Sequence, residues 1–383
     1  MLRLPDTGQT TSYTTTFGED NDYTINPPSY TNNGNGTITD TVTGLMWQQL
    51  DGGEMTIENA LIYADQLVLG GYSDWRLPTA QEAFSILIHQ NNNPAVNTSF
   101  FTKTDAEYWW SSNKQANDNT KIWVTNAGGG VGNHLKSETI SAGGSKKIHV
   151  RAVRDVTTPS TIPNHFTDNG NGTISDNLTG LMWQKVPNTS ALTWEQALSY
   201  AESLTLAGAS DWRLPNIKEL HSISDEGFVN PSVNPTFFGN IGVKKYWSST
   251  SLGNQATKAW YWDTQFGITT YELKTVGLYL VCVRSGTQPT ANETPSENSS
   301  SSLASIYPNP ASHSIHIRFG SAQNIHPRNI QITNILGQIV FAGEVNAAAI
   351  EYTIPAHAFS NGSYFLTITE NHATQTIPLI IQK

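Results

Sequence analysis

The 383-residue sequence holds a single cysteine, Cys282. One cysteine excludes an intrachain disulfide framework and any cysteine-based zinc site. Charge is scarce too: 14% of the residues are charged, against about 25% in ordinary soluble domains. Asn, Thr, Ser and Gly fill the difference, a composition common in extracellular β-rich proteins. Basic residues are outnumbered 21 to 31, for a net charge of −10. Lys and Arg contacts to phosphate dominate nucleic-acid affinity, so neither nucleic acid nor an anionic membrane surface is an expected partner. No run approaches 18 consecutive apolar residues, so no transmembrane segment is expected. Met1–Asp6 lacks the apolar core of a signal peptide; if the protein is exported, the expectation is that the sequence begins after a removed leader. Motifs of enzyme chemistry are missing as well, with no His-Glu-x-x-His, Gly-x-Ser-x-Gly or phosphate loop. The ten histidines are scattered, five of them (His313, His316, His326, His357, His372) near the C-terminus.

What is present, first of all, is a long internal repeat. Asn33-Gly34-Asn35-Gly36-Thr37-Ile38 returns as Asn169-Gly170-Asn171-Gly172-Thr173-Ile174, and Thr43-Gly44-Leu45-Met46-Trp47-Gln48 as Thr179-Gly180-Leu181-Met182-Trp183-Gln184, both 136 residues on. At an offset of 137, Ser73-Asp74-Trp75-Arg76-Leu77-Pro78 matches Ser210–Pro215, Trp110-Ser111-Ser112 matches Trp247-Ser248-Ser249, and Trp123 matches Trp260. Val153-Arg154 matches Val283-Arg284 at an offset of 130, so the first copy carries about seven extra residues, placed most simply in its Gly-rich stretch Gly128 to Gly144. A period this long exceeds any solenoid unit, so each copy is expected to be a complete domain. Within a copy, Asn-Gly-Asn-Gly is a hairpin-turn signal, since Asn and Gly tolerate positive φ. Leu-Met-Trp reads as a buried strand. Thr79…Glu82 and Thr193…Gln196 are capping boxes that open helices. Ile57, Ala60, Leu61, Ala64 and Leu67 repeat at helical spacing, as do Ala197, Ala201 and Leu204. The aromatic remainder reads as strands and long loops, which makes each copy α+β, two helices against a mainly antiparallel sheet.

The ordered blocks Gly-Thr-Ile, Thr-Gly-Leu-Met-Trp, Asp-Trp-Arg-Leu-Pro, Trp-Ser-Ser and Val-Arg resemble the Lcl C-terminal domain family, named after the tail of a bacterial collagen-like adhesin. They are similar also to the Fibrobacter-type major paralogous domain. The resemblance runs over roughly residues 5–286 and implies a C-type-lectin-like fold and surface adhesins that bind glycans or host polymers. Collagen-like Gly-X-Y repeats are missing here, so multivalency by triple helix does not carry over. From about Thr287 the composition turns to Pro, Asn, Glu and a Ser299–Ser302 run, a linker signature. Short alternating strands follow, opened by Tyr307-Pro308-Asn309-Pro310 and continued through Gly337-Gln338 and Asn361-Gly362, where a hairpin turn is expected. That tail resembles the C-terminal sorting domain of the type IX secretion pathway, a small all-β sandwich read by the export machinery. The expected domains are 1–157 (first copy), 160–286 (second copy), 287–303 (linker) and 304–383 (sorting domain).

Three features are candidate sites. The aromatic cluster in the loop-rich half includes Trp109, Trp110 and Trp123, with Trp247, Trp260, Tyr261 and Trp262 in the second copy. Consecutive Trp260-Tyr261-Trp262 in a strand face alternating sides, so one side is a candidate for exposure and for stacking on sugar; core packing is the competing role. In Asp74-Trp75-Arg76 and Asp211-Trp212-Arg213 a carboxylate, a ring and a guanidinium stand together, and the structural reading is an Asp–Arg pair bracing the loop before the second helix. Asp168-Asn169-Gly170-Asn171-Gly172 has oxygens spaced for calcium, but Asn32 replaces Asp168 in the first copy and no bidentate Glu follows, so a plain hairpin is preferred. Calcium is thus possible without being indicated, and no cofactor is expected. Glu58 and Glu195 correspond between copies, in first helical turns where a carboxylate complements the dipole. The leading expectation is a non-enzymatic bacterial protein, secreted or on the outer cell surface, that recognises polysaccharide or glycoprotein through two lectin-like domains. Its expected partners are an extracellular glycan or surface protein and the type IX export machinery. A structural or protein–protein module is the alternative, and a carbohydrate-active enzyme using Glu58 or Glu195 is a third.

Overall fold

The computed structural model describes residues 1–139, 147–156 and 164–285, and near the C-terminus residues 304–307, 311, 314–319, 328–334, 338–346, 349, 351–370 and 373–382. The chain divides into two units, Met1–Thr290 and Ala291–Lys383. The expected linker 287–303 lies outside the described residues.

In the first copy the elements run β1 (Tyr30–Asn32), β2 (Thr37–Asp40), β3 (Leu45–Gln48), α1 (Ile57–Gln66), α2 (Ala80–Ser85), β4 (Ala106–Gln115), β5 (Asp118–Asn126), β6 (Val131–Leu135), β7 (Lys147–His149) and β8 (Val153–Asp155). The second copy follows as β9 (Phe166–Asp168), β10 (Thr173–Asp176), β11 (Leu181–Gln184), α3 (Trp194–Ser203), α4 (Ile217–Ser222), α5 (Pro235–Phe238), β12 (Lys245–Ser251), β13 (Lys258–Asp263), β14 (Ile268–Leu273) and β15 (Val283–Ser285), with α5 added and, among the described residues, no strand matching β7. The unit is mostly β-sheet with few and short helices. Both capping boxes form as expected, at Thr79/Glu82 and Thr193/Gln196. The helical period of α1 holds, yet Leu61 is exposed rather than buried.

The repeated sequence blocks are the joints of this fold. Asn33–Gly36 and Asn169–Gly172 turn β1 into β2 and β9 into β10, with positive φ at Gly34, Gly36, Gly170 and Gly172. Trp47 lies opposite Ile38 on one side and Val153 on the other, and Trp183 opposite Ile174 and Val283. The Val-Arg block thus returns the end of each copy to its start. In Trp-Ser-Ser the strand register slips, and the Ser111 and Ser248 hydroxyls donate to the Trp123 and Trp260 carbonyls at 2.8 Å. The bulge therefore leaves neither carbonyl without a donor.

The copies are joined rather than merely strung together. β6 and β14 pair antiparallel at Val131 and Thr269, completing a seven-stranded sheet in the order β12-β13-β14-β6-β5-β4-β7. Contacts across the junction are reciprocal, as in a two-fold interface. Gln81 Nε2 donates to the Ser224 carbonyl (3.0 Å), and its counterpart Lys218 donates to the Ser85 carbonyl (2.7 Å). The rings of Phe84 and His221, again counterparts, meet at 4.9 Å. The N-terminal segment before β1 straps the junction. His89 N donates to the Thr7 carbonyl, Lys218 Nζ to the Asp6 carbonyl (2.9 Å), and Gln9, Glu19 and Asp20 bury their side chains against Thr250 and Ser251.

In the second unit β16 (Ala304–Tyr307), β17 (Ser314–Phe319) and β20 (Glu351–Pro355) form one sheet; β18 (Arg328–Asn334), β19 (Ile339–Val345), β21 (Gly362–Glu370) and β22 (Ala373–Ile381) form another. Both contribute to one core, including Ile315, Ile317, Ile330, Ile332, Leu366 and Ile381. Tyr307 ends β16 opposite His316. Pro308, Asn309, Pro310 and Gly337 lie outside the described residues, while Gln338 is fastened to Asn334 through its backbone N–H (3.0 Å). The expectation of a hairpin at Asn361-Gly362 is corrected: Gly362, φ +152, opens β21, whereas the preceding strand β20 pairs with β17 in the other sheet.

Candidate functional site

Burial decides the fate of the aromatic cluster. Trp110, Trp123, Trp247, Trp260, Tyr261 and Trp262 are all buried. In β13 the rings do alternate, but both sides of the strand are covered: Trp260 and Trp262 join cores on one face, and Tyr261 packs with Trp247 and α3 on the other. Enclosed rings present no free face to a sugar. Trp110 Nε1 donates to the Met55 carbonyl (2.8 Å) and Trp247 Nε1 to that of Leu192 (3.0 Å), which serves packing. Trp109 is buried too, donating to Asp51 (3.1 Å).

In Asp-Trp-Arg-Leu-Pro the charged side chains are taken up by ion pairs within the fold, but not by the pairing expected. Asp74 binds Arg154 (2.7 and 3.0 Å), and Asp211 binds Arg284 (2.7 and 3.0 Å). Arg76 instead takes Glu82 bidentately (2.7 and 2.8 Å) plus Asp155 (2.9 Å), and Arg213 takes Glu219 at 2.6 Å through both nitrogens. Neighbouring side chains in an extended segment point to opposite sides, so Asp and Arg two apart share a side only until the chain bends. Trp75 and Trp212 lie in the core beneath, each donating to a carbonyl, of Leu69 and Leu206. Asp168 accepts from Gly170 N (3.0 Å) and pairs with Lys185 (2.5 Å), as a hairpin residue does. Among the described residues no group of three or more His, Cys, Asp or Glu is placed to hold a metal ion.

The first copy carries one polar network without a counterpart. Asp51 accepts from Thr104 (2.7 Å), Trp109 (3.1 Å) and His149 (2.8 Å), with Arg151 at 3.5 Å. Tyr279 and Val281 stand in the places of His149 and Arg151 in the second copy. Burial pushes the Asp51 carboxyl up, but the His149 bond, the Arg151 charge and the two other donors outweigh it and hold it at about 2. A depressed carboxyl stabilises the fold above its unfolded value and loses that contribution as pH falls through the folded one. Asp51→Asn is therefore expected to reduce the loss of stability between pH 4 and pH 2, read by urea unfolding at both.

A groove of about 340 Å³ opens where the copies meet. The turn Asn126–Gly130 forms one wall. Asn126 Oδ1 accepts from Gly128 N (3.0 Å) and Gly130 N (3.1 Å). Gly129, at φ +105, lies so close to Trp260 that a Cβ there would stand 3.2 Å from the indole; at Gly130 it would stand 2.9 Å from the Thr269 carbonyl. The turn is thus glycine because Gly129 holds a positive φ and because β13 and β14 of the other copy, with the Asn126 side chain, press on it. Gly130→Ala is expected to push the copies apart locally and lower the melting temperature by several degrees, read by calorimetry. Trp260 meets Tyr271 edge-on at 5.5 Å and His89 at 5.3 Å. Burial, together with the Lys218 charge, lowers His89 to about 3, so the ring is neutral and its Nε2–H donates to the Gly129 carbonyl (2.9 Å). Trp260 Nε1 is buried and has no hydrogen-bond partner among the described residues. At the mouth, Tyr271 is 41% exposed and Tyr108 half-buried, with Asn92, Asn93, Glu107 and Thr270 between. Amides, hydroxyls and phenol rings line the space; among the described residues its lining includes one carboxylate and no Lys or Arg, while Lys258 stands over Tyr271 at 5.0 Å. Of the groove's rings only Trp260 was among the aromatic candidates of the sequence; Tyr108 and Tyr271 were not. The junction itself had no signal, because it depends on which edge strand of each copy meets the other.

Residues 36–154 and 172–284 match the model of the Lcl C-terminal domain, and residues 305–382 that of the secretion system C-terminal sorting domain. No curated protein matches the chain. Among solved structures, dimeric latent PorU from Porphyromonas gingivalis is similar at 12% identity, with 68% of this chain and 26% of that one covered and a TM-score of 0.18. The chain thus spans about a quarter of that protein's length, and a similarity so low carries no argument. Among the described residues no helix is long and apolar enough to cross a membrane.

Proposed function

Since the chain belongs to the Lcl C-terminal domain family and closes in a secretion system sorting domain, we propose that it is a non-enzymatic, adhesin-like protein that binds neutral polysaccharide or glycoprotein glycans in the groove between its two repeats. Export is the established part: the sorting domain marks a bacterial protein secreted or delivered to the cell surface by type IX secretion. Neither family is one of enzymes. The further reading is that each repeat is a C-type-lectin-like domain within the boundaries 1–157 and 160–286, and that the ligand is sugar.

One observation carries the sugar reading: the groove combines an exposed Tyr271 and half-buried Tyr108 with a lining of asparagine amides and threonine hydroxyls. Phenol rings stack on the apolar faces of pyranoses, and amides both donate to and accept from hydroxyl groups. A lining that among the described residues holds Glu107 and no Lys or Arg disfavours sulfated or phosphorylated chains. The test is a glycan array with the intact protein, in calcium and again in chelator. Binding to neutral glycans that survives chelation and falls at least tenfold in Tyr271→Ala is expected. Binding that Tyr271→Ala leaves unchanged places the site elsewhere. Binding confined to sulfated chains, or to no glycan, sinks the reading.

A further inference from the structure

The two repeats share a fold but differ in cover. On the second, the N-terminal strap lies across α3 and β12. Thr14 Oγ1 donates to Glu195 (2.7 Å), Tyr23 OH donates to Glu202 (2.6 Å), and the Tyr23 ring lies 5.2 Å from the Arg213 guanidinium. Farther along, Ser251 N donates to Gln9, Ser251 Oγ to Glu19 (2.6 Å) and Thr250 Oγ1 to Asp20 (2.5 Å). Glu195, Leu198 and Glu202 share one helix face at spacings of three and four, and Leu198 between the two anchors is fully buried.

The first repeat keeps the same chemistry in the same places. Glu58, Leu61 and Asp65 occupy the matching positions of α1, and Arg76 that of Arg213. Here, among the described residues, the face is left open. Leu61 is 49% exposed where Leu198 is 0%. The Arg76 side chain is 37% exposed where that of Arg213 is 5%. Ser112 and Lys114 are exposed, whereas their counterparts Ser249 and Ser251 are buried. The connection between the repeats is shorter than the strap. Ten residues, 156–165, lead from β8 to β9, whereas the strap uses eighteen, Asp6 to Tyr23, and both ends of the connection are committed to strands. A chain spans at most about 3.3–3.6 Å per residue.

We propose that this face of the first repeat is a docking site for an extended, hydroxyl-rich polypeptide segment of a second protein. Such a segment lays a threonine-type hydroxyl on Glu58 and a tyrosine on Asp65 and Arg76, as Thr14 and Tyr23 of the strap do on the other repeat, and adds an apolar side chain on Leu61. An exposed leucine flanked by Ile62, itself 54% exposed, is the kind of apolar patch that marks protein contacts. The site is separate from the groove, so either reading stands or falls without the other.

The probe is a fluorescent synthetic peptide of residues 5–23, titrated into the intact protein. Saturable one-to-one binding is expected, weakened at least tenfold by Leu61→Arg or Asp65→Lys. Both are surface changes, and unaltered melting curves confirm that the variants fold. Binding untouched by these variants but raised by Glu195→Lys means that the peptide replaces the resident strap, and overturns the proposal. Absence of binding at millimolar peptide overturns it too. Self-association of the intact chain that Leu61→Arg abolishes, read by sedimentation, names a second copy as the occupant and overturns the foreign partner.

Discussion

Glu219→Ala is expected to cost the first unit about 3–5 kcal/mol, the range for removing one partner of a buried ion pair. Both side chains are nearly closed to water, at 5% and 6% exposure, and both Arg213 nitrogens are engaged at 2.6 Å. Glu219 also accepts from Asn216 N (2.9 Å) and so closes the capping box of α4. Truncation therefore strands a guanidinium in the interior and opens a helix end at once. The Tyr23 ring offers a cation–π contact at 5.2 Å, which does not replace a carboxylate. The first repeat supplies the internal control. Arg76 retains Asp155 when Glu82 is removed and is partly solvated, so Glu82→Ala is expected to cost less, about 1–2 kcal/mol. Urea unfolding of both variants measures the difference. Equal losses would show that burial is not what makes the second pair strong.

That pair shows where reading the sequence succeeded and where it stopped. Duplication was legible because the blocks recur in order, and each block proved to be a joint with a local cause: glycines at positive φ, a capping box, a serine closing a bulge. Trp47 and Trp183 were legible as core because Leu-Met-Trp runs without a polar interruption. The partners of Asp74 and Arg76 were not, since Arg154 and Glu82 reach them only after the chain has folded back. Leu61 repeats at helical spacing with Ile57, Ala60 and Ala64 and yet is exposed where they are buried, because helical period says which residues share a face and not whether something covers it. Nothing in the composition announced Glu19, Asp20 and Lys218 as buried. Their environment is made by the strap and by the approach of the two copies, both contacts between residues more than 130 apart. The rings proposed for sugar stacking failed for a related reason: alternation along β13 is real, but both sides of the sheet are covered.

The strap also predicts an effect of pH. Asp20 is wholly enclosed, its carboxylate accepting from Thr7 (2.7 Å) and Thr250 (2.5 Å). Burial raises its carboxyl to about 7 despite these bonds, with the Glu219 and Asp6 charges adding to the rise. A raised carboxyl favours folding while protonated in both states, below about pH 4, and that contribution is lost as pH climbs toward 7. Three pH units correspond to at most about 4 kcal/mol. Asn cannot ionise and still accepts from both threonines, so Asp20→Asn is expected to gain on the native protein steadily between pH 4 and pH 7. Other groups move in the same range: Glu226 is raised to about 7 by burial, whereas burial lowers His221 to about 4 and His89 to about 3, with the opposite slope. Lys218, lowered by burial to about 7, gains only above that value. The readout is therefore the difference between variant and native protein at each pH, in which the contributions of groups not coupled to Asp20 cancel; Lys218 is coupled to it, so the comparison is made below pH 7. Limited proteolysis locates the effect, with cleavage before Tyr30 rising with pH in the native chain and flat in the variant. A difference that stays constant with pH would mean that Asp20 folds ionised, and that the two threonine hydroxyls suffice to hold its charge in the interior.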